Sequence, residues 1–236
     1  MKKYFFASVA LLVFFIGTVA ADEIDVLLKQ LKSSNSDERL VAAKELGDRK
    51  DPRAVSSLIS VLRTDKKWEV RLEAEDSLVK IGSPSVPPLM QLLKEEHNCF
   101  VRRRSARALK EIKDPCASET LVNAASKDTD CCVRRFAAMA LADISDPKAT
   151  KFLNDAMEKK DLEIISGAYP YYLRQGKPGT EEVLIQALRK FSFCKNMVFD
   201  FSRCDNEKLQ QAAVEIAKEH KYTTPPDWSG PQWGKN

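Results

Sequence analysis

The residues of this chain best suited to chemistry are cysteines that lie close to arginines. Cys131 and Cys132 shortly precede Arg134 and Arg135. A nearby cation favours the thiolate, the nucleophilic form of cysteine, so either thiol could be reactive. A buried or structural thiol is the alternative interpretation of the same residues.

Cysteines in corresponding positions of consecutive sequence repeats, described below, could also form a disulfide. A disulfide needs Cα atoms within about 7 Å, whereas neighbouring helices lie about 8–10 Å apart. Because a loop position can close this gap, we predict that Cys99 pairs with Cys131 or Cys132. Cys194 and Cys204 flank a predicted short helix and could pair only if that helix is broken.

Arginines are concentrated on two adjacent repeats. The repeat pattern requires one arginine in each, and these two repeats contain four more. We predict a docking patch for an acidic protein partner or an anionic envelope polymer, held by salt-sensitive contacts. A solvated outer face is the alternative. The candidate residues are Arg102, Arg103, Arg104, Arg107, Arg134 and Arg135.

An irregular segment near residue 170 carries a second candidate site. Gly167 and Pro170 should bend or break the helix in which they lie. Tyr169, Tyr171 and Tyr172 lie at this break. A groove lined by these rings would suit a peptide or a small apolar ligand, and packing in the core is the alternative.

Several kinds of catalytic site are disfavoured. The two histidines, His97 and His220, are far apart in sequence, which leaves little material for a metal centre or an acid–base pair. The sequence has no glycine-rich phosphate loop, no Gly-x-Ser-x-Gly elbow and no Cys-x-x-Cys motif. We therefore predict no cofactor and no metal. The net charge of +4 gives no argument for a nucleic acid partner.

The N-terminal segment is typical of a secretory signal peptide. Lys2 and Lys3 precede an uncharged, mostly apolar run from Tyr4 to Ala21, which ends in small residues before Asp22. We predict cleavage after residue 21 and a periplasmic or secreted mature protein without a membrane span. An uncleaved membrane anchor is the alternative. No cysteine lies near the cleavage site, so a lipid anchor is not indicated.

A repeat of 31–32 residues organises the rest of the chain. Three columns keep the same phase over five units. A small residue follows each residue of the first column after three places, and a large residue follows it after seven places. These spacings put the three columns on one face of a helix. The members of the columns are Arg39, Arg71, Arg102, Arg134 and Ile165; Ala42, Ala74, Ser105, Ala137 and Ala168; and Leu46, Leu78, Leu109, Leu141 and Tyr172.

Each repeat is predicted to form two helices. The first opens near Asp37, Lys67, Asn98 or Asp130, where an Asp or Asn side chain can cap the free amides. A proline then ends it, because proline suits the first turn of the second helix and disfavours helical angles in the preceding residue. Each helix has an apolar face that one pair cannot bury alone, so successive pairs must stack.

The predicted fold is therefore an all-α, right-handed α-solenoid of about six HEAT-like helix pairs with an N-terminal capping helix. Residues 1–21 form the signal peptide, 22–222 the solenoid and 223–236 a tail containing Pro and Trp without a helical pattern.

The repeat resembles a known family. Asp130 to Leu141, followed by Asp146-Pro147, is similar to the short HEAT-like repeat that also occurs in phycobiliprotein lyases. This resemblance implies the fold strongly and the function weakly, because members of the wider family are mainly protein-binding scaffolds and a minority are enzymes. The fifth unit departs from the pattern at Gly167 and Pro170.

On these grounds we expect a non-catalytic, monomeric scaffold that binds a protein in the bacterial cell envelope. The alternative is a lyase-like or chaperone-like protein that handles a chromophore or another prosthetic group.

Overall fold

A computed structural model describes residues 23–223 and 230–235, and within these ranges the regular secondary structure is helical. Residues 23–30 form helix α1, and six further pairs follow along the chain, as the repeats predict. The helices are α2 Ser36–Arg49, α3 Val55–Thr64, α4 Trp68–Ile81, α5 Val86–Glu95, α6 Cys99–Ile112, α7 Ser118–Lys127, α8 Cys131–Asp143, α9 Pro147–Glu158, α10 Leu162–Gly167, α11 Tyr169–Gln175, α12 Glu181–Lys190, α13 Lys195–Arg203 and α14 Glu207–Glu219.

The repeated prolines mark the start of the second helix in the first four pairs. Pro52, Pro84 and Pro115 lie in short 3₁₀ turns that run directly into α3, α5 and α7. Pro147 is the first residue of α9. Proline is accepted at these positions because the first N–H groups of a helix have no partner within it.

The first helices of the pairs are capped by short polar side chains. The side chains of Asn98 and Asp130 accept hydrogen bonds from first-turn amides of α6 and α8. For α2 the prediction is corrected: Asn35 is the cap and accepts from the amide of Asp37, which lies inside the helix. Lys67 precedes α4 without a side-chain cap, because its ammonium group cannot accept a hydrogen bond.

The columns of the repeat form the core. Ala42, Ala74, Ser105, Ala137 and Ala168 are completely buried. Small side chains at these positions let helices approach closely, and the large apolar side chains one turn later fill the remaining space. The large members that are essentially inaccessible to solvent are Leu46, Leu78, Leu109 and Leu141.

The described part of the chain divides into two compact units: unit 1 ends at Leu89, and unit 2 begins at Met90. In unit 1, α4 packs against both α2 and α3. In unit 2, α8 packs against α6, α7, α9 and α10, and α14 packs against both α12 and α13. The predicted all-α class with stacked HEAT-like pairs is confirmed; the handedness stays a prediction.

The fifth pair is irregular, as Gly167 and Pro170 predict. Its first helix is divided into α10 and α11 at Ala168, whose φ and ψ of −95° and 15° interrupt the regular backbone. A Cβ atom on Gly167 would lie 2.8 Å from the backbone oxygen of Arg135 and 3.0 Å from Cβ of Ala138. Glycine is therefore required for the close approach of α10 to α8.

Part of the predicted tail lies against α11. The Gly234 amide donates to the Leu173 carbonyl at 2.8 Å, and Lys235 pairs with Asp205. Gly176, in the left-handed region with φ 54°, leaves room for Gly234, since a Cβ there would lie 2.4 Å from the Gly234 Cα atom. The predicted signal peptide and tail residues 224–229 and 236 lie outside the described residues.

Candidate functional site

The arginine column ties consecutive repeats together. Arg102 donates from Nε and Nη2 to the two carboxylate oxygens of Asp128, both at 2.8 Å. Its Nη1 donates to the carbonyls of Glu96 and His97 at 2.8 and 3.0 Å. This planar, bidentate geometry is one that arginine provides and lysine does not.

The same bidentate contact occurs in both units. In unit 1, Nε and Nη2 of Arg39 donate to the two carboxylate oxygens of Asp65 at 2.6 and 2.8 Å. In unit 2, Nε and Nη2 of Arg134 donate to the two carboxylate oxygens of Glu163 at 2.9 and 3.0 Å. Two members of the predicted docking patch, Arg102 and Arg134, are therefore engaged in contacts between repeats, and their guanidinium groups are not available as a free cationic surface.

Arg103 joins a carboxylate and an exposed ring. Its Nε and Nη2 donate to Asp130 at 2.9 and 2.7 Å. Its guanidinium also lies 5.0 Å from the centroid of Phe100, a ring that is 65% exposed. Because Arg103 donates both hydrogen bonds, the pKa of Asp130 is held well below its usual range and the pKa of Arg103 is raised.

Two thiols lie beside this ion pair, and a third lies at the start of α8. The Cys99 thiol hydrogen-bonds the Asp130 carboxylate, and Cys132 lies within electrostatic reach of Arg103. Burial raises the pKa of the Cys132 thiol, and Arg103 opposes that effect. Cys131 is exposed and lies within electrostatic reach of Arg134.

We call Cys99, Phe100, Arg103, Cys131 and Cys132 the thiol surface. It adjoins an open groove of about 600 Å³, which is lined among others by Lys94, His97, Cys99 and Lys127. Thiols, cations and an apolar ring are thus brought together on α6 and α8 and the loops before them.

All six cysteines are free thiols in this structure. Cys99 and Cys131 are not joined, so their pairing stays a prediction for the oxidised protein. Helix α13 runs unbroken from Lys195 to Arg203, and Cys194 and Cys204 at its two ends are separate. No group of three His, Cys, Asp or Glu side chains in the described ranges could hold a metal ion.

The remaining arginines of the predicted patch lie on α6 and α8. Arg104 and Arg107 are half-buried, and each has an interaction partner. The Arg135 guanidinium lies 6.0 Å from the centroid of the exposed Phe193 ring. Its Nε atom is buried and has no hydrogen-bond acceptor.

The tyrosines do not line an open groove. The Tyr169 hydroxyl donates to Asp200 at 2.5 Å, and the Tyr172 hydroxyl donates to the Leu153 carbonyl at 2.7 Å. Burial raises the pKa of both phenols. The prediction that Tyr169 and Tyr172 bind a ligand is therefore corrected, because both are core residues whose hydroxyls find partners inside the protein. Tyr171 is half-buried.

The acidic partners of the arginines are the site residues that sequence reasoning missed. Asp65 and Asp128 each follow their arginine by 26 residues, so a regular spacing was present in the sequence. Asp200 carries no such signal, because it pairs with an irregular segment 31 residues before it.

The lowered pKa values predict that the protein loses stability in acid. Arg39 lowers the pKa of Asp65, as Arg103 lowers that of Asp130, each mainly by hydrogen bonding. A carboxyl whose folded-state pKa is depressed stabilises the fold above its unfolded pKa of about 3.9. That stabilisation is lost as the pH falls through the folded-state value. We therefore expect the melting temperature to drop between pH 6 and pH 2.5.

Asp130→Asn isolates the charge in this prediction, because asparagine also caps helices well. The variant should be less stable than the wild type at pH 7, and its melting temperature should fall less on acidification. An equal fall in both proteins would show that the Asp130–Arg103 pair does not contribute to the acid response.

Together, the stacked helix pairs and the arginine column define a helical-repeat protein. The chain matches the HEAT repeats family over residues 24–109 and 86–169, which together make up more than half of its length. It therefore belongs to the HEAT-repeat family.

Among curated proteins, the chain is similar to phycocyanobilin lyase subunit beta of Nostoc sp. (strain PCC 7120 / SAG 25.82 / UTEX 2576), with 32% identity over 103 residues. The match covers 43% of this chain and 50% of the relative, so this chain spans about half the length of that relative. This similarity confirms the predicted resemblance to the repeats of phycobiliprotein lyases.

A solved structure of the complex of CpcE and CpcF of phycocyanin lyase from Nostoc sp. PCC7120 is also similar. The TM-score is 0.49 at 20% identity, and the match covers 86% of this chain and 90% of that chain. A likeness at this level does not bear on function.

The prediction of a non-catalytic envelope scaffold, and with it the prediction of no enzymatic role, is wrong. The curated relative is a lyase subunit, which favours the lyase-like alternative.

Across residues 23–223 and 230–235, no helix has the length and apolar character needed to span a membrane.

Proposed function

We propose that this protein is a lyase-like or chaperone-like protein that handles a prosthetic group, and that it does so at the thiol surface of unit 2. The observation that carries the proposal is the placement of the free thiols Cys99 and Cys132 beside Arg103, whose guanidinium lies against the exposed Phe100 ring. The similarity of the repeats to a phycocyanobilin lyase subunit supports it.

The ring and the cations suit a planar, conjugated ligand with acidic side chains. Phe100 offers an exposed apolar face, which a packed core would have buried. Lys94 and Lys127 in the adjoining groove can each attract a carboxylate locally, beside the acidic side chains Glu95, Glu96 and Asp130 of the same lining. The ligand class that fits is therefore a conjugated tetrapyrrole bearing carboxylate groups.

The thiols provide the chemical part of the proposal. Cys131 is exposed and lies within electrostatic reach of Arg134. A thiol can add to a conjugated double bond, with the sulfur bound to one carbon and the proton carried to its neighbour. Covalent handling of this kind would be lyase-like, whereas non-covalent holding at Phe100 and Arg103 would be chaperone-like.

Titration of the reduced protein with phycocyanobilin tests the proposal. We expect a change in the visible absorption band on binding, and at least a tenfold weaker affinity for the Phe100→Ser/Arg103→Ala double variant. An adduct heavier by the mass of the ligand, detected by intact-protein mass spectrometry and absent from Cys131→Ser, would assign lyase-like handling. Binding without that adduct would assign chaperone-like handling.

Two variants serve as matched controls. Cys116→Ser removes another exposed thiol, and Phe193→Ser removes another exposed ring in unit 2. Both should bind like the wild type. Absence of binding by the wild type, or equal loss in the control variants, would overturn the proposal.

We further propose that the protein acts outside the cytoplasm, with a protein as the recipient of the group. The proposal of export depends on the pattern of residues 1–21, and a mature chain that begins at Asp22 would support it. Mass spectrometry of the protein purified from its native cells would measure this, and an intact N-terminus would contradict it. Crosslinking in intact cells would test for the recipient.

A further inference from the structure

A second groove lies in unit 1, apart from the thiol surface. It is open, has a volume of about 800 Å³ and is lined by residues that precede α2 and by residues of α3 and the loop after it. This volume falls within the range of about 300–1,000 Å³ that is usual for small-molecule sites. We call it the serine groove, because six serine and threonine side chains line it.

The serine groove is cationic. Lys32, Lys66 and Lys67 contribute to its lining and are exposed. Asp65 is the acidic residue among the lining residues, and Arg39 neutralises it through two hydrogen bonds of 2.6 and 2.8 Å. In the part of the chain that the structure describes, none of the three lysines pairs with a carboxylate. Three positive charges thus face the groove without compensation.

The hydroxyl groups add neutral donors and acceptors beside these charges. Ser56 and Ser60 are one helical turn apart on α3 and are both exposed, and Ser57 lies between them. A hydroxyl group both donates and accepts, so such a row matches a ligand that carries several hydroxyl groups of its own.

The fold does not impose this lining. The corresponding groove of unit 2 is built around the same kind of arginine–aspartate pair, Arg102 with Asp128. Its lining nevertheless contains Glu95, Glu96 and Asp130 as well. The position of Lys67, two residues after the paired aspartate, is taken there by Asp130. The positive charge and the hydroxyls of unit 1 are therefore a property of that groove, beyond what the repeat needs for stability.

We propose that the serine groove binds an acidic saccharide, a sugar whose hydroxyl groups accompany carboxylate or phosphate groups. The lysines would contact the anionic groups as point charges, and the serines would hydrogen-bond the sugar hydroxyls. This site is independent of the proposed handling of a prosthetic group in unit 2.

Isothermal titration calorimetry on the mature full-length chain tests the proposal, with tetragalacturonate, glucose 1,6-bisphosphate and neutral maltotetraose as probes. At 50 mM salt we expect binding of one or both acidic probes and none of maltotetraose, and the acidic probe that binds identifies the anionic group. Lys66→Ala/Lys67→Ala should weaken binding at least tenfold, and Ser56→Ala/Ser60→Ala should also weaken it. Circular dichroism will show whether these surface variants remain folded.

Lys94→Ala/Lys127→Ala, which removes the lysines of the corresponding groove in unit 2, is the matched control and should bind like the wild type. The proposal is overturned by absence of binding of both acidic probes, by equal binding of maltotetraose, or by wild-type binding in the Lys66/Lys67 variant. It is likewise overturned if inorganic tripolyphosphate binds and both acidic sugars fail, because the hydroxyl row would then have no role.

Discussion

Replacing Arg102 by methionine should lower the free energy of unfolding by about 3–5 kcal/mol, the usual cost of removing one partner of a buried ion pair. The Arg102 and Asp128 side chains are only 11% and 7% exposed. Methionine fills much of the volume but removes both guanidinium hydrogen bonds to the Asp128 carboxylate, which keeps only that of the Asp130 amide, and it leaves two backbone carbonyls without their Arg102 donor. Urea denaturation followed by circular dichroism measures the loss.

An exposed ion pair provides the control for this prediction. Lys148 and Glu119 lie 2.8 Å apart, with side chains 65% and 81% exposed. Water screens such a pair, so Lys148→Ala should cost far less than Arg102→Met. Asp128→Asn completes a double-mutant cycle with Arg102→Met, and additive effects in that cycle would refute a direct contribution of the pair.

Replacing Phe201 by alanine should also cost about 3–5 kcal/mol, because it empties a well-packed part of the core. Phe201 is completely buried and packs edge-on against Tyr169, with 5.8 Å between ring centroids. Its neighbour Asp200 accepts the Tyr169 hydroxyl, so loosening α13 would also weaken that hydrogen bond. Thermal and urea unfolding measure the change.

Phe193 offers a comparison within the same unit. Its ring is 64% exposed and contacts Arg135 from one side. Phe193→Ala should therefore cost no more than about 1 kcal/mol, the value of a cation–π contact at the surface. Similar losses for Phe193→Ala and Phe201→Ala would contradict the assignment of Phe201 to the core and Phe193 to the surface.

The arginine column and the predicted docking patch depend on different kinds of information. A column of one arginine per repeat indicates a shared role, and Arg39, Arg102 and Arg134 form equivalent contacts with acids of the following repeat. The expectation of a free docking patch treated Arg103 like a surface residue. Its partial burial and its ion pair with Asp130 depend on how α6 and α8 approach one another. A count of the charged residues in the sequence carries no information on that approach.

The sequence by itself determined the helix pairs, their core columns and the break in the fifth pair. These features follow from local geometry, since a helical period places every third or fourth residue on one face and proline restricts its own neighbourhood. Only the tertiary structure decided that Tyr169 lies against Asp200, that Cys99 and Cys132 lie beside Arg103 and Asp130, and that equivalent grooves differ in charge. Those contacts join residues about 30 positions apart, and the packing of whole helices brings them together.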